Sequence, residues 1–165
     1  MPEKKMQVMS TEFISREITI GNLRLGGRQP IRIQSMTNTP TLDTNATVEQ
    51  VIRLAEAGCE MVRITAANMH EAENLKNISR ILKEKGINLP LIADIHFMPK
   101  AAEIAAGIVE KVRINPGNYS GSHHKAKKYS AADYRKELDE MVLNVEPLLN
   151  ICTRHNTAIR IGINH

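Results

Sequence analysis

The chain has 165 residues, 42% hydrophobic and 24% charged, which fits one globular domain with a core of its own. No apolar run approaches the roughly 20 residues of a membrane-crossing helix, and the N-terminal MPEKKMQVMSTEF lacks the apolar centre of a secretion signal, so a soluble, cytoplasmic protein is expected. A net charge of +4 and a pI near 9.2 imply attraction to anions without saying which anion.

Residues 17–33 read as EITI, the pair Gly21-Asn22 and then LRLGG, which predicts two short strands about a hairpin turn. Beyond it, short apolar runs alternate with amphipathic stretches, the pattern of β/α units on a parallel sheet. Strands are expected at 31–36, 61–65, 91–96, 111–115 and 158–164. Thr47 and Gln50 have capping-box spacing ahead of Val48, Val51, Ile52 and Ala55, and Gly58 offers that helix a left-handed exit. Asn68 stands three before Glu71, and Leu75, Ile78 and Leu82 recur at helical spacing up to Gly86. Pro99 suits the first turn of an Ala-rich third helix. Ser130 with Asp133 opens a fourth, in which Tyr134, Leu138, Met141, Val142, Val145, Leu149 and Cys152 share one apolar face. A kink is expected at Pro147, whose ring clashes with the carbonyl of Leu143.

An apolar-Arg-Ile tripeptide recurs at 31–33, 62–64, 112–114 and 159–161, and Arg32, Arg63 and Asp94 are evenly spaced by the length of one β/α unit. A doubly wound open sheet is the rival architecture, but no strand is followed by GxGxxG or GxxxxGK[ST]. Side chains two apart on a strand share a face, which groups Arg63 with Thr65, Asp94 with His96, Arg113 with Asn115, and Arg160 with Asn164. At the C-terminal ends of barrel strands such pairs point into the mouth where these folds hold their ligands. One carboxylate, Asp94, stands against three arginines, so an anion is wanted, and the planar guanidinium fork suits phosphate.

Any one arginine taken singly could be an outward residue paired with a helix carboxylate; their joint placement with His96 and Asn115 favours the ligand. The stretch Arg113-Ile114-Asn115-Pro116-Gly117-Asn118 adds a turn where Gly117 lets backbone N–H groups approach an anion, so Asp94, Gly117 and Asn118 join the candidates. Residues 34–39, QSMTNT, end the first barrel strand in groups that either line the mouth or cap the next helix. His70, His123, His124 and His155 read as solvated or structural, and Lys125, Lys127 and Lys128 as a solvated loop with no aromatic residues for base stacking. Cys59 and Cys152, with no CxxC or Cys/His spacing nearby, read as buried small apolar residues and not as metal ligands.

Four motifs in order, QSMTNT at 34–39, ADIHF at 93–97, RINPGN at 113–118 and RIGINH at 160–165, resemble the 4-hydroxy-3-methylbut-2-enyl diphosphate synthase family (GcpE/IspG), over the chain from about Ile14 onward. The resemblance implies an α/β fold, a (β/α)8 barrel of which five strands are here with the N-terminal hairpin, followed in the family by a separate iron–sulfur domain. It implies an oxidoreductase that converts 2-C-methyl-D-erythritol 2,4-cyclodiphosphate to 4-hydroxy-3-methylbut-2-enyl diphosphate in the methylerythritol phosphate route to isoprenoids. It further implies a 4Fe-4S cluster in the full-length enzyme and ferredoxin or flavodoxin as electron donor. Residues matching the family's substrate contacts are Arg63, His96, Arg113, Asn115, Arg160 and Asn164, whereas Arg32 matches none and keeps an outward, structural role. The stretch from Tyr119 to Arg154 resembles the family's longer form, which carries an extra middle domain.

On this reading residues 1–165 are the N-terminal part of a substrate-binding barrel, the cluster ligands lie outside the chain, and the chain alone is inactive. It is also expected to be a homo-oligomer, self-associating through unpaired strand edges. Two alternatives remain open: a dihydropteroate-synthase-like barrel, which also binds a diphosphate ester at strand ends, and a basic nucleic-acid-binding module. The resemblance itself implies neither a nucleic-acid nor a membrane partner.

Overall fold

The computed structural model describes residues 13–120 and 130–163, so the readings of His123, His124, Lys125, Lys127, Lys128 and Asn164 lie outside the described residues. The chain opens with an antiparallel hairpin of β1 (Ile18–Ile20) and β2 (Leu23–Leu25), with Ile20 opposite Leu23. Its turn needs glycine twice over. Gly21 has φ 58°, and a β carbon there would meet Glu110 Cγ at 3.0 Å and Pro90 Cγ at 3.2 Å. Those contacts seat the turn beneath the starts of the third and fourth barrel strands.

Five parallel strands follow: β3 (Gln34–Met36), β4 (Met61–Thr65), β5 (Leu91–Asp94), β6 (Lys111–Ile114) and β7 (Ala158–Ile161). They pair in sequential order with β3 and β7 at the edges. Helices α1 (Thr44–Glu56), α2 (Met69–Glu84), α3 (Pro99–Ala106) and α4 (Ala131–His155) connect them. Each strand–helix–strand passage returns to the neighbouring parallel strand, which makes the sheet five consecutive strands of a (β/α)8 barrel.

Alternation along the strands decides what each face holds. Val62, Ile64, Ala93, Val112 and Ile114 form one core with Val48, Val51, Leu75, Ile78, Ala102 and Ala105 of the helices, every one at most 3% exposed. Burying each Val, Leu or Ile contributes about 1.5–3 kcal/mol. The opposite, barrel-inward face therefore carries Arg63, Thr65, Asp94, Lys111, Arg113 and Arg160.

The capping signals at Asn68, Pro99 and the Ser130/Asp133 box all occur as their spacing predicts. Helix α1 departs from expectation. Asp43, not Thr47, caps it, by accepting from the Ala46 N–H at 3.0 Å. Thr47 is buried inside the helix, where its hydroxyl donates back to Pro40 O and meets Thr39 Oγ1. Gln50 Oε1 accepts from the N–H groups of Asn38 and Thr39, so the QSMTNT segment is tied to α1 by a helix side chain without capping it, the cap being Asp43.

The equal spacing of Arg32, Arg63 and Asp94 is not a structural register. Met36 is the partner of Arg63 on β3, while Arg32 precedes the strand and bonds Glu60 Oε1 at 2.7 Å and Arg24 O at 3.0 Å. That pairing gives it a structural role, but its place is not outward: the side chain is 18% exposed and lines a cavity with Gln34, Lys111 and Arg160. Helix α4 runs on through Pro147, and its apolar stripe is only partly covered: Tyr134, Leu138, Val142 and Leu149 are exposed, Leu148 and Cys152 are buried in the core, and Met141, Val145 and Ile151 pack against it half-buried. No helix among the described residues is long and apolar enough to cross a membrane.

Candidate functional site

The register sets Asp94, Arg113 and Arg160 abreast on β5, β6 and β7, and sets Thr65, two residues beyond Arg63, beside Asp94. Asp94 is the hub. At 1% exposure it is removed from water, and its Oδ2 accepts from Arg63 Nη2 and lies 3.6 Å from His96 Nε2. Its Oδ1 stands 3.6 Å from Arg113 Nη1, beyond hydrogen-bond length, and no donor reaches it among the described residues. Guanidinium groups stay charged at any ordinary pH. Asp94 is the one buried carboxylate among the described residues, and it faces both Arg63 and Arg113, with Arg160 exposed alongside on the same face.

One layer below, on the same face, lies a residue absent from the sequence candidates. Lys111 is 5% exposed, and among the described residues no carboxylate pairs with it. Burial, then the charges of Arg160 and Arg63, hold its amine below the usual lysine range. The signal was available, because the alternation that groups Arg113 with Asn115 also places Lys111 on that face.

The loops after β5 and β6 frame this cluster. His96 is partly exposed and tilted against the exposed ring of Phe97 at 5.9 Å, and its backbone oxygen accepts from Asn118 Nδ2. Asn115 caps the 3-10 turn Pro116–Tyr119, with Oδ1 accepting the Gly117 N–H at 3.2 Å. That N–H, expected to face an anion, is turned inward because an asparagine ahead of a Pro-Gly pair closes its own turn. Asn118 in this arrangement tethers the neighbouring loop. Of the sequence candidates, the structure gathers Arg63, Asp94, His96 and Arg113, brings Arg160 into register beside them and leaves Asn115 at the rim.

The thiols stand apart. Cys152 is buried on α4 and burial pushes its pKa up to about 11, whereas Cys59, beyond the end of α1, is only half-buried, contrary to the expectation for both. Among the described residues no three of His, Cys, Asp and Glu gather as metal ligands. This donor set does not fit an iron–sulfur cluster, whose irons are held mostly by several thiolates.

Comparison with known proteins gives the following. Residues 15–165 match the family model described as the GcpE TIM-barrel domain. The chain is 52% identical over 153 residues to a 4-hydroxy-3-methylbut-2-en-1-yl diphosphate synthase (flavodoxin) of Phocaeicola vulgatus, covering 92% of the chain and 25% of the relative. It is 49% identical over 156 residues to the protein of that name in Akkermansia muciniphila, covering 94% and 27%. The chain thus spans about a quarter of the length of these curated relatives. Among solved structures, dihydropteroate synthase of Burkholderia cenocepacia complexed with 7,8-dihydropteroate shares 14% identity at a TM-score of 0.53, over 92% of the chain and 65% of that protein. At that identity the likeness is one of fold.

Proposed function

The chain belongs to the GcpE family, and from that membership we propose that it is the substrate-binding part of an enzyme that converts 2-C-methyl-D-erythritol 2,4-cyclodiphosphate to 4-hydroxy-3-methylbut-2-enyl diphosphate. The observation that carries this reading is that Arg63 and Arg113 face Asp94, the one buried carboxylate among the described residues, with Arg160 in register beside Arg113 on the same face. A diphosphate is a fitting ligand for three cations on one face, and two-pronged guanidinium contacts suit its oxygens. Arg63, Arg113 and Arg160 bind the phosphates, with His96 and the side-chain amide of Asn115 donating at the rim, and Asn164 is a further contact by its match to the family's motif. Asp94 accepts only, so it acts on the ligand through the arginines.

Ring opening breaks a carbon–oxygen bond and leaves negative charge on a phosphate oxygen. Cations held in a partly dewatered pocket favour that charge, the electrostatic form of catalysis. The conversion is also a reduction. Its electrons are assigned to flavodoxin, the donor in the relatives' names, and no residue of this chain is asked to carry them. The 4Fe-4S cluster implied by the motifs needs thiolates other than Cys59 and Cys152.

The dihydropteroate-synthase-like reading has only the shared fold in its favour. Calorimetric titration separates the two. The cyclodiphosphate is expected to bind the chain in one-to-one ratio, in competition with inorganic diphosphate, while a pterin diphosphate gains nothing from its pterin ring. No binding of the cyclodiphosphate, or preference for the pterin ester, overturns the proposal.

A further inference from the structure

Gly162 lies just past β7, where its N–H donates to Ile114 O at 2.8 Å and carries the β6–β7 ladder one residue beyond the strand. Its backbone is not in the left-handed region, so no turn demands a glycine there. The demand comes from Arg113. A β carbon at position 162 would stand 2.7 Å from both Cζ and Nη2 of Arg113 and closer still to Nε. Ordinary contact begins near about 3.5 Å. The guanidinium of Arg113 therefore lies across the bare Cα of Gly162.

We propose that Gly162 is a positioning residue, whose missing side chain lets the Arg113 guanidinium lie across the end of β7, between Asp94 and Arg160, where an anion is bound. The inference deepens the anion-site reading and rests on it. The atoms a methyl group would strike belong to the far end of a long side chain, not to backbone, so in Gly162→Ala the guanidinium yields and the strand stays. Arg113 is 9% exposed, and the displaced head must leave the geometry it shares with Asp94. Glycine as such is not the point. Gly107, whose added β carbon would meet nothing nearer than 3.7 Å, serves as the control.

The test uses the 165-residue chain and inorganic diphosphate in a double-mutant cycle. Gly162→Ala should weaken diphosphate binding on the order of 10-fold, the loss of one charge-assisted bond, while melting within a few degrees of wild type. In the R113A background the same change should alter the residual affinity by less than about two-fold, since it acts only through Arg113. A ligand-free readout accompanies it: the Arg113 Nε–Hε nitrogen-15 signal, assigned by its loss in R113A or, should that variant not fold, in R113K. That signal should move in G162A and stay in Gly107→Ala. An unmoved signal with unchanged affinity in G162A overturns the inference, as does an affinity loss that persists in full in the R113A background. A wild-type chain that binds no diphosphate overturns the anion reading instead, and the Nε signal still decides the placement of Arg113 by Gly162.

Discussion

Replacing Asp94 by asparagine keeps the shape of the side chain and deletes the one buried carboxylate among the described residues. Asp94 is 1% exposed, bonds Arg63 and faces Arg113, whose side chain is 9% exposed. Removing one partner of a buried ion pair costs about 3–5 kcal/mol, because the remaining charge loses its counterion without regaining water. Arg63 is 23% exposed and keeps some hydration, which places the loss at the lower end, about 3 kcal/mol. For a chain of this size each kcal/mol moves the melting midpoint by about 2–4 °C, so D94N should melt roughly 6–12 °C below wild type. Diphosphate returns the missing negative charge, and at ~100 times its dissociation constant a ligand adds about 2.7 kcal/mol. Thermal unfolding of both proteins, with and without diphosphate, should show the larger gain in D94N. A variant within about 1 kcal/mol of wild type without ligand, or one that diphosphate fails to stabilise, would refute the reasoning.

Lys111 gives a pH dependence of fixed sign. A lysine whose folded pKa is depressed binds fewer protons folded than unfolded, so the stability it withholds near neutral pH returns as pH rises from the lowered folded value to the ordinary 10.5. The advantage of Lys111→Met over wild type in urea unfolding should therefore shrink across that alkaline window; a gap independent of pH would contradict the burial of a charged amine. Cys152, with its thiol pushed up to about 11, should resist alkylation at pH 8 until the chain is unfolded, while the half-buried Cys59 reacts first. Mass spectrometry showing both thiols modified at one rate would be the wrong outcome. Strands β3 and β7 bound the described sheet, and the 165-residue polypeptide is expected to self-associate through such edges. Sedimentation showing a monomer at all concentrations, with slow amide exchange in both strands, would show those edges covered.

Much of this architecture is legible in the sequence because its signals are local. The side-chain period of two along a strand suffices to place Arg63, Asp94, Arg113 and Arg160 on one face, and the caps at Asn68 and Ser130 need only three residues of context. What escaped depends on partners distant in the chain. Thr47 and Gln50 carry the capping pattern, yet the helix begins a turn earlier because Asp43 can cap it, and both side chains then serve the preceding loop. The repeated Arg-Ile tripeptide suggested equivalence, but pairing register is set between strands, and it aligns Met36 with Arg63. Periodicity in α4 reveals an apolar face without showing whether anything covers it. Gly162 has no local reason to be glycine; the reason is a side chain on the neighbouring strand.

The most direct measurement of the central claim is the nitrogen-15 spectrum of the arginine Nε–Hε groups during titration with the cyclodiphosphate. Arg63, Arg113 and Arg160 are the proposed phosphate contacts, whereas Arg32 is bound to Glu60 and to Arg24 O and serves as the internal control. The account predicts saturable shifts at those three arginines and none at Arg32. Shifts at Arg32 as large as theirs, or a spectrum unchanged at saturating ligand, would contradict it.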